Sequence, residues 1–182
     1  MAFDGKKFLQ RFRISLGFVF AVVFLIFARP TILTLIIGGG IAVAGLAIRA
    51  WASGHIRKST VLAVTGPYGY TRNPLYLGSF IMGVGFTVAS GVWWLAVLFC
   101  VVFPSIYFPV MRVESDEVRG AFGTEYEEYE RTVPLFIPRL TPWNRDGKFD
   151  FQLYLRYREY RAALGVVAAL AILSIKAYVF GN

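Results

Sequence analysis

The sequence has little cysteine, little histidine and few charged residues. Cys100 is its single cysteine and His55 its single histidine among 182 residues. Neither an intramolecular disulfide framework nor a structural metal site of the cysteine and histidine type can be built from them. Charged residues make up only 16% of the chain, against about 25% in a soluble globular domain. These shortages exclude a disulfide-stabilised domain and argue against a soluble globule, and we expect no metal site.

Apolar and aromatic residues dominate the chain. Hydrophobic residues account for 57% of it and aromatic residues for 17%, and the mean hydropathy is +0.57. A disordered chain is poor in these residue types. The composition therefore predicts an integral membrane protein.

The charge balance is basic, with 19 lysines and arginines against 11 acidic residues and a net charge of +8. A basic balance can indicate nucleic-acid binding, but in so apolar a chain it is more typical of residues that face an anionic leaflet. We therefore expect the lipid bilayer, and not nucleic acid, as a partner. The sequence leaves the oligomeric state open.

Five apolar segments are close to the length of about 20 residues that a helix needs to cross a membrane. They predict an all-α bundle of about five transmembrane helices, forming a single domain over 1–182 with a cytoplasmic segment at 112–161. The predicted helices are 12–28, 31–52, 74–89, 92–111 and 162–180.

The distribution of charge predicts the orientation of this bundle. With a cytoplasmic N-terminus, Arg29 is the only basic residue in an outer loop, and all 11 acidic residues fall on the inner side. This agrees with the excess of positive charge in cytoplasmic loops. We expect a protein of the cell membrane whose chemistry-bearing groups face the cytoplasm.

Small residues are concentrated in the second and third apolar segments. Glycines at such spacings let membrane helices approach closely, and packing is the expected role of most of them. Gly78 is set apart because it also lies in the motif described next. The glycines are Gly38, Gly39, Gly40 and Gly45, then Gly78, Gly83 and Gly85.

The loop before the third segment, residues 65–78, carries the first candidate site. Asn73-Pro74 predicts a helix that begins at Pro74, and a helix N-terminus favours an anion. Arg72 adds a positive charge beside it, while Tyr68 and Tyr76 supply aromatic surface. A loop merely anchored at the membrane interface is the alternative.

The second cluster follows the fourth segment. Glu114 lies within a turn of the predicted membrane end of the helix, where a lone carboxylate is costly unless it is used; Asp116 and Glu117 are alternatives. Thr124 and Glu127 predict a capping box and a helix that begins after Gly123. Phe122, Tyr126, Tyr129 and Val133 are expected along one side of that helix. A solvated face is expected of Glu125, Glu127, Glu128 and Glu130.

Arg49 is the third candidate. It lies near the inner end of the second segment, before Ala50-Trp51. Either its side chain extends to the headgroups or it points into the bundle toward a buried anion.

These motifs resemble the isoprenylcysteine carboxyl methyltransferase family, which is related to membrane phospholipid methyltransferases. The resemblance covers roughly 45–140 and implies S-adenosyl-L-methionine as methyl donor, S-adenosyl-L-homocysteine as product, and a cytoplasmic cofactor pocket. It implies a lipophilic acceptor that enters between helices, such as a prenylcysteine-like carboxylate or another lipid. The matching residues are Gly66-Pro67-Tyr68, Arg72-Asn73-Pro74-Leu75-Tyr76-Leu77-Gly78, Glu114, 122–129 and Val133-Pro134.

Carried over by position, the resemblance assigns cofactor contacts to the loop, to the start of the third helix and to the glutamate. Arg49 resembles an arginine that orients the acceptor. Prenylcysteine enzymes have a second arginine at the position where this chain has Val110, and Arg112 is the nearest arginine to that position. The predicted cofactor residues, together with Arg72, are Thr60, Val61, Leu62, Ala63, Tyr68, Asn73, Pro74, Leu75, Tyr76 and Glu114.

One further departure concerns Asn73, where the family usually has histidine. Asparagine can hydrogen bond but cannot titrate, so a required general base is not expected there. Two other functions stay open: an NADPH-dependent membrane reductase of the sterol-reductase type, and a non-catalytic membrane subunit.

Overall fold

A computed structural model of the chain describes residues 17–56, 61–144 and 146–180, and within these ranges the regular structure is helical. A short 3-10 helix, Gly66–Gly69, lies in the loop between α2 and α3. The α-helices are α1 (Gly17–Phe27, the described part), α2 (Ile32–Ser53), α3 (Pro74–Ala89), α4 (Trp93–Phe122), α5 (Thr124–Thr132), α6 (Phe151–Arg156) and α7 (Tyr160–Phe180).

Three of these helices, α2, α4 and α7, are long and apolar enough to cross a membrane. The described part of α1 and the 16-residue α3 are apolar but shorter. At 1.5 Å per residue, α3 is about 24 Å long, less than the hydrocarbon thickness of about 30 Å. The predicted all-α membrane class is confirmed. Among the described residues, three of the five predicted transmembrane helices are long and apolar enough to cross a membrane.

The helix bounds differ from the predicted ones in ways that side chains explain. Thr31 caps α2 through two reciprocal hydrogen bonds. The amide of Thr34 donates to Oγ1 of Thr31 at 3.2 Å, and the amide of Thr31 donates to Oγ1 of Thr34 at 2.9 Å. Pro30 therefore precedes the cap and is not in the first turn. Helix α3 has the predicted bounds. Helix α4 continues past residue 111 to Phe122, so the charged stretch that follows the apolar run is helical.

The helix predicted after Gly123 is present as α5, but the capping box is not formed. Gly123 is the N-cap residue, with φ of 55°, and no side chain caps the helix. Thr124 is thus the first helical residue, one position too late to cap. The predicted apolar side is confirmed, because Tyr126, Tyr129 and Val133 are buried in a cluster that Phe122 packs against.

Glycines bring α2 and α3 into backbone contact. A Cβ atom on Gly38 would lie 2.3 Å from the amide nitrogen of Ala89, and one on Gly85 would lie 2.4 Å from that of Ala42. The close approach predicted from small residues is therefore confirmed at these positions. Gly40 is an exception, since a Cβ there would have no neighbour within 4 Å.

Helix α7 packs against α2 and is also tied to α1. The ammonium of Lys176 donates to the carbonyl oxygens of Leu25 at 2.5 Å and Ile26 at 3.0 Å. The last carbonyls of a helix have no partner within the helix, and a cation is favoured there. Lys176 therefore caps the C-terminal end of α1.

Candidate active site

A cavity of about 680 Å³ lies around the start of α3. Its volume is within the range of about 300–1,000 Å³ that ligand pockets occupy. Its walls come from the C-terminal end of α2, the loop before α3, the first turns of α3, the second half of α4 and the start of α5.

The cavity gathers the residues that the sequence singled out. Arg49 lines it, as does every predicted cofactor residue that the structure describes: Val61, Leu62, Ala63, Tyr68, Arg72, Asn73, Pro74, Leu75, Tyr76 and Glu114. Thr60 lies outside the described residues. Arg112 is exposed and is not among the lining residues, so the structure does not bring it together with the others.

Other lining residues were not predicted. Ser79 lies one turn into α3, and Tyr107 is an aromatic residue inside the apolar run of α4. The remaining ones are Ile56, Ser115 and Val118. Glu117, Phe122 and Tyr126 also line the cavity; the sequence had offered Glu117 as an alternative to Glu114 and had placed the two aromatic residues on the apolar side of the helix after Gly123. Tyr107 was missed because a tyrosine inside a membrane segment gives no signal that distinguishes a cavity wall from ordinary packing.

The loop that carries Tyr68 and Arg72 is held by Tyr129 of α5 and by the segment 134–143. The hydroxyl of Tyr129 donates to the carbonyl oxygen of Tyr68 at 2.7 Å. Backbone hydrogen bonds join Arg72 to Pro134 at 2.9 Å and Trp143 to Gly69 at 2.9 Å. The loop is therefore fixed by contacts with α5 and with the segment that follows it.

The N-terminus of α3 opens at the cavity. Pro74 occupies the first turn, and the side chain of Asn73 does not cap the helix. Its amide group donates instead to the carbonyl oxygen of Leu135 at 3.0 Å. The positive end of the helix dipole is therefore left for an anionic group.

Two buried donors at the cavity have no partner: the hydroxyl of Tyr68 and Nε of Arg72. Tyr68 is only 6% exposed, and burial raises the pKa of its hydroxyl, which keeps it protonated as a donor. Buried polar groups are rarely unpaired in native proteins, because each one costs the free energy of its lost hydration. Such groups are suited to a polar ligand.

Arg72 is held by a glutamate expected to be solvated. Its Nη1 donates to a carboxylate oxygen of Glu130, and Arg119 reaches the other oxygen at 2.5 Å. Burial alone would raise the pKa of Glu130, but hydrogen bonds from the two arginines outweigh burial and lower it. The prediction was therefore wrong for Glu130, while Glu125, Glu127 and Glu128 are exposed.

Glu114 lies within α4 and not at the end of the helix, because α4 continues beyond the apolar run. The hydroxyl of Tyr76 donates to its carboxylate at 2.8 Å, and the Tyr76 ring lies against that of Tyr107 at 5.2 Å. Of the two alternatives, Asp116 pairs with Arg119 at 2.8 Å, whereas Glu117 also lines the cavity.

Arg49 points into the bundle, where it binds a carboxylate that sequence reasoning missed. Its guanidinium contacts both oxygens of Glu159 at 2.8 Å and the hydroxyl of Ser79 at 2.6 Å. Gly78 makes room for it, since a Cβ there would lie 2.6 Å from Cγ of Arg49. One signal in the sequence could have indicated Glu159. It is a carboxylate directly before a predicted membrane helix, on the same side of the membrane as the end of the second helix where Arg49 lies.

Aromatic rings extend from the cavity between α3 and α4. Tyr107 stacks on Phe103 at 4.2 Å, Phe103 contacts Phe80 at 5.3 Å, and Phe80 stacks on Phe99 at 5.6 Å. This aromatic wall, formed by Phe80, Phe99, Phe103 and Tyr107, meets the cavity at Tyr107, the member of the set that lines it.

The chain matches the model of the phospholipid methyltransferase family over residues 23–125, which is more than half of its length. The matched region runs from α1 to the start of α5 and therefore contains most of the cavity.

Three curated relatives are about one-third identical to the chain over the regions that align. A nickel-cobalt-cadmium resistance protein of Alcaligenes xylosoxydans xylosoxydans is 34% identical over 56% of this chain and 48% of its own length. A cobalt-zinc-cadmium resistance protein of Cupriavidus metallidurans is 36% identical over 62% and 51%. A protein-S-isoprenylcysteine O-methyltransferase of Schizosaccharomyces pombe is 32% identical over 44% and 34%.

The chain thus spans about half the length, or less, of the curated relatives that it matches. No solved structure matches it significantly.

Proposed function

Because the chain belongs to the phospholipid methyltransferase family, we propose that it transfers a methyl group from S-adenosyl-L-methionine to a lipophilic acceptor in the membrane, with S-adenosyl-L-homocysteine as the other product. The observation that carries this proposal is the convergence of Tyr68, Arg72, Asn73, Tyr76 and Glu114 on one cavity.

The residues present fit such a cofactor. Its carboxylate matches the uncapped start of α3 and the unpaired Nε of Arg72. Its ammonium or ribose hydroxyls match Glu114, whose carboxylate Tyr76 orients. When bound, S-adenosyl-L-methionine supplies a methyl group activated by a positively charged sulfur.

Methyl transfer by in-line displacement needs orientation more than it needs acid or base groups. The loop braced by 134–143 and the start of α3 would fix one reactant, and the aromatic wall would hold the apolar part of the other and exclude water. Proximity and orientation of this kind can lower the activation barrier by several kcal/mol. The sulfonium loses its positive charge during the transfer, and a site of low dielectric favours that loss in the transition state. No metal is required for this chemistry.

We further propose that the cavity faces the cytoplasm and that the protein resides in the cell membrane, as a single domain. The charge distribution supports this orientation. Cysteine-accessibility labelling tests it: a residue in 115–140 that is labelled from outside intact cells would reverse the orientation.

Calorimetry on the purified full chain tests the proposed function. S-adenosyl-L-homocysteine should bind with micromolar affinity, and NADPH should not bind. Binding of NADPH alone would identify a reductase, and binding of neither compound would leave a non-catalytic subunit.

Glu114→Gln should weaken S-adenosyl-L-homocysteine binding by about 1.5–3 kcal/mol, the scale of a hydrogen bond to a charged group. The reason is that the amide keeps the shape of the side chain but loses the charge at the cavity wall. Glu127→Gln is the matched control, because Glu127 is exposed and lies outside the cavity lining. Equal losses of affinity in both variants would remove Glu114 from the site.

A further inference from the structure

All three nitrogens of the Arg49 guanidinium donate hydrogen bonds within the protein. Nε and Nη2 donate to the carboxylate of Glu159 at 2.8–3.2 Å. Nη1 donates to the hydroxyl of Ser79 at 2.6 Å and to the carbonyl oxygen of Leu75 at 3.2 Å. The edge of the guanidinium formed by Nε and Nη2 is one that a carboxylate can bind with both oxygens, and Glu159 occupies this edge.

Glu159 is fixed in place by the turn between α6 and α7. The preceding residue, Arg158, has φ of 56°, a conformation that residues other than glycine rarely adopt. The amide of Arg158 donates to the carbonyl oxygen of Leu155 at 3.0 Å, and that of Glu159 to Tyr154 at 3.3 Å. The side chains of Arg49 and Glu159 are only 21% and 13% exposed, so solvent screens the pair weakly.

Once the start of α3 and Nε of Arg72 hold the carboxylate of the proposed cofactor, the rest of the cavity offers little to an anionic acceptor. Arg72 pairs with Glu130, and the other charged residues of the described lining are Glu114 and Glu117. A carboxylate brought to Arg49 would therefore have to displace Glu159, in a cavity that two further carboxylates line.

We infer that Glu159 is a specificity-determining residue: it occupies the carboxylate-binding face of Arg49 and so disfavours acceptors that would be held there as free carboxylates. Arg49 lines the cavity, and its charge is balanced by the carboxylate of Glu159 bound to it. This inference rests on the proposed methyl transfer, because it concerns the acceptor of that reaction.

The experiment compares two probes that differ by one charge, N-acetyl-S-farnesylcysteine and its methyl ester. Their affinities for the purified full chain are measured with and without S-adenosyl-L-homocysteine. The wild type should show no preference for the carboxylate. Glu159→Gln frees the guanidinium fork and should strengthen carboxylate binding by about tenfold or more, with the affinity for the ester unchanged.

Two further variants assign the effect. Arg49→Gln/Glu159→Gln should lack the gain, because the gain requires the freed arginine, and Glu127→Gln should behave as wild type. A wild type that prefers the carboxylate by tenfold or more, or a Glu159→Gln protein without the gain, overturns the inference. If Glu159→Gln does not fold, the two probes on the wild type decide: a preference for the carboxylate overturns the inference, and equal or weaker binding supports it.

Failure of the proposed function gives a different result. If the wild type does not bind S-adenosyl-L-homocysteine, methyl transfer is refuted, while the comparison of the two probes still reports whether Glu159 blocks Arg49.

Discussion

Gly38→Ala is expected to destabilise the protein by about 3 kcal/mol, the upper part of the usual range for overpacking. The added methyl group would lie 2.3 Å from the amide nitrogen of Ala89 and 2.4 Å from the carbonyl oxygen of Gly85. Both are backbone atoms of α3 and cannot rotate away, so the two helices must separate. Thermal unfolding of the purified protein in detergent measures the loss.

Gly40→Ala is the control for this substitution. Gly40 lies two residues further along α2, is exposed, and has open space where its Cβ would be. Alanine favours a helix over glycine by about 1 kcal/mol, so Gly40→Ala should leave the unfolding temperature unchanged or raise it. Equal destabilisation by both substitutions would mean that α2 and α3 do not pack through Gly38.

Arg49→Ala is expected to reduce methyl transfer by about 100-fold or more, since misplacement of reacting groups by 1 Å can cost that much. Arg49 joins three elements, through Leu75 and Ser79 of α3 and through Glu159 before α7. The affinity for S-adenosyl-L-homocysteine should change little, because the loop with Tyr68 is held separately by Tyr129 of α5 and by the segment 134–143. Transfer of labelled methyl into membrane lipid and calorimetry measure the two quantities.

Arg49→Lys should not restore activity. A lysine has three donors on one atom and cannot make the planar two-oxygen contact with Glu159. Arg112→Ala is the matched control, because Arg112 is exposed outside the cavity lining and its loss should leave methyl transfer intact. Full activity in Arg49→Lys would show that Arg49 only needs to be cationic.

The sequence predicted the apolar framework well and the polar contacts poorly. Helix α3 was found with its bounds because Pro74 and the glycine turn after Ser90 mark its ends. The end of α4 was missed because hydropathy shows where a helix leaves the bilayer, and arginine and glutamate continue a helix readily in water.

The polar contacts depend on residues far apart in the chain. Glu130 pairs with Arg72 across 58 positions, and Arg49 pairs with Glu159 across 110. A local pattern can show that a carboxylate lies near a helix end, but only the packing of α5 and of the turn before α7 shows which arginine it reaches. The cavity residues could be predicted because they lie in short motifs. Glu130 and Glu159, which hold the arginines of the cavity in place, could not be predicted in this way.

The bond from Lys176 to the last turn of α1 joins residues 150 and 151 positions apart, and this has a consequence for biosynthesis. During translation α1 leaves the ribosome long before α7, so the carbonyl groups of Leu25 and Ile26 must remain without this partner until the last helix has been inserted. Assembly of the bundle is therefore completed from the C-terminal side. A ribosome stalled before Lys176 should leave a nascent chain whose first helix is still open to proteolysis at its C-terminal end.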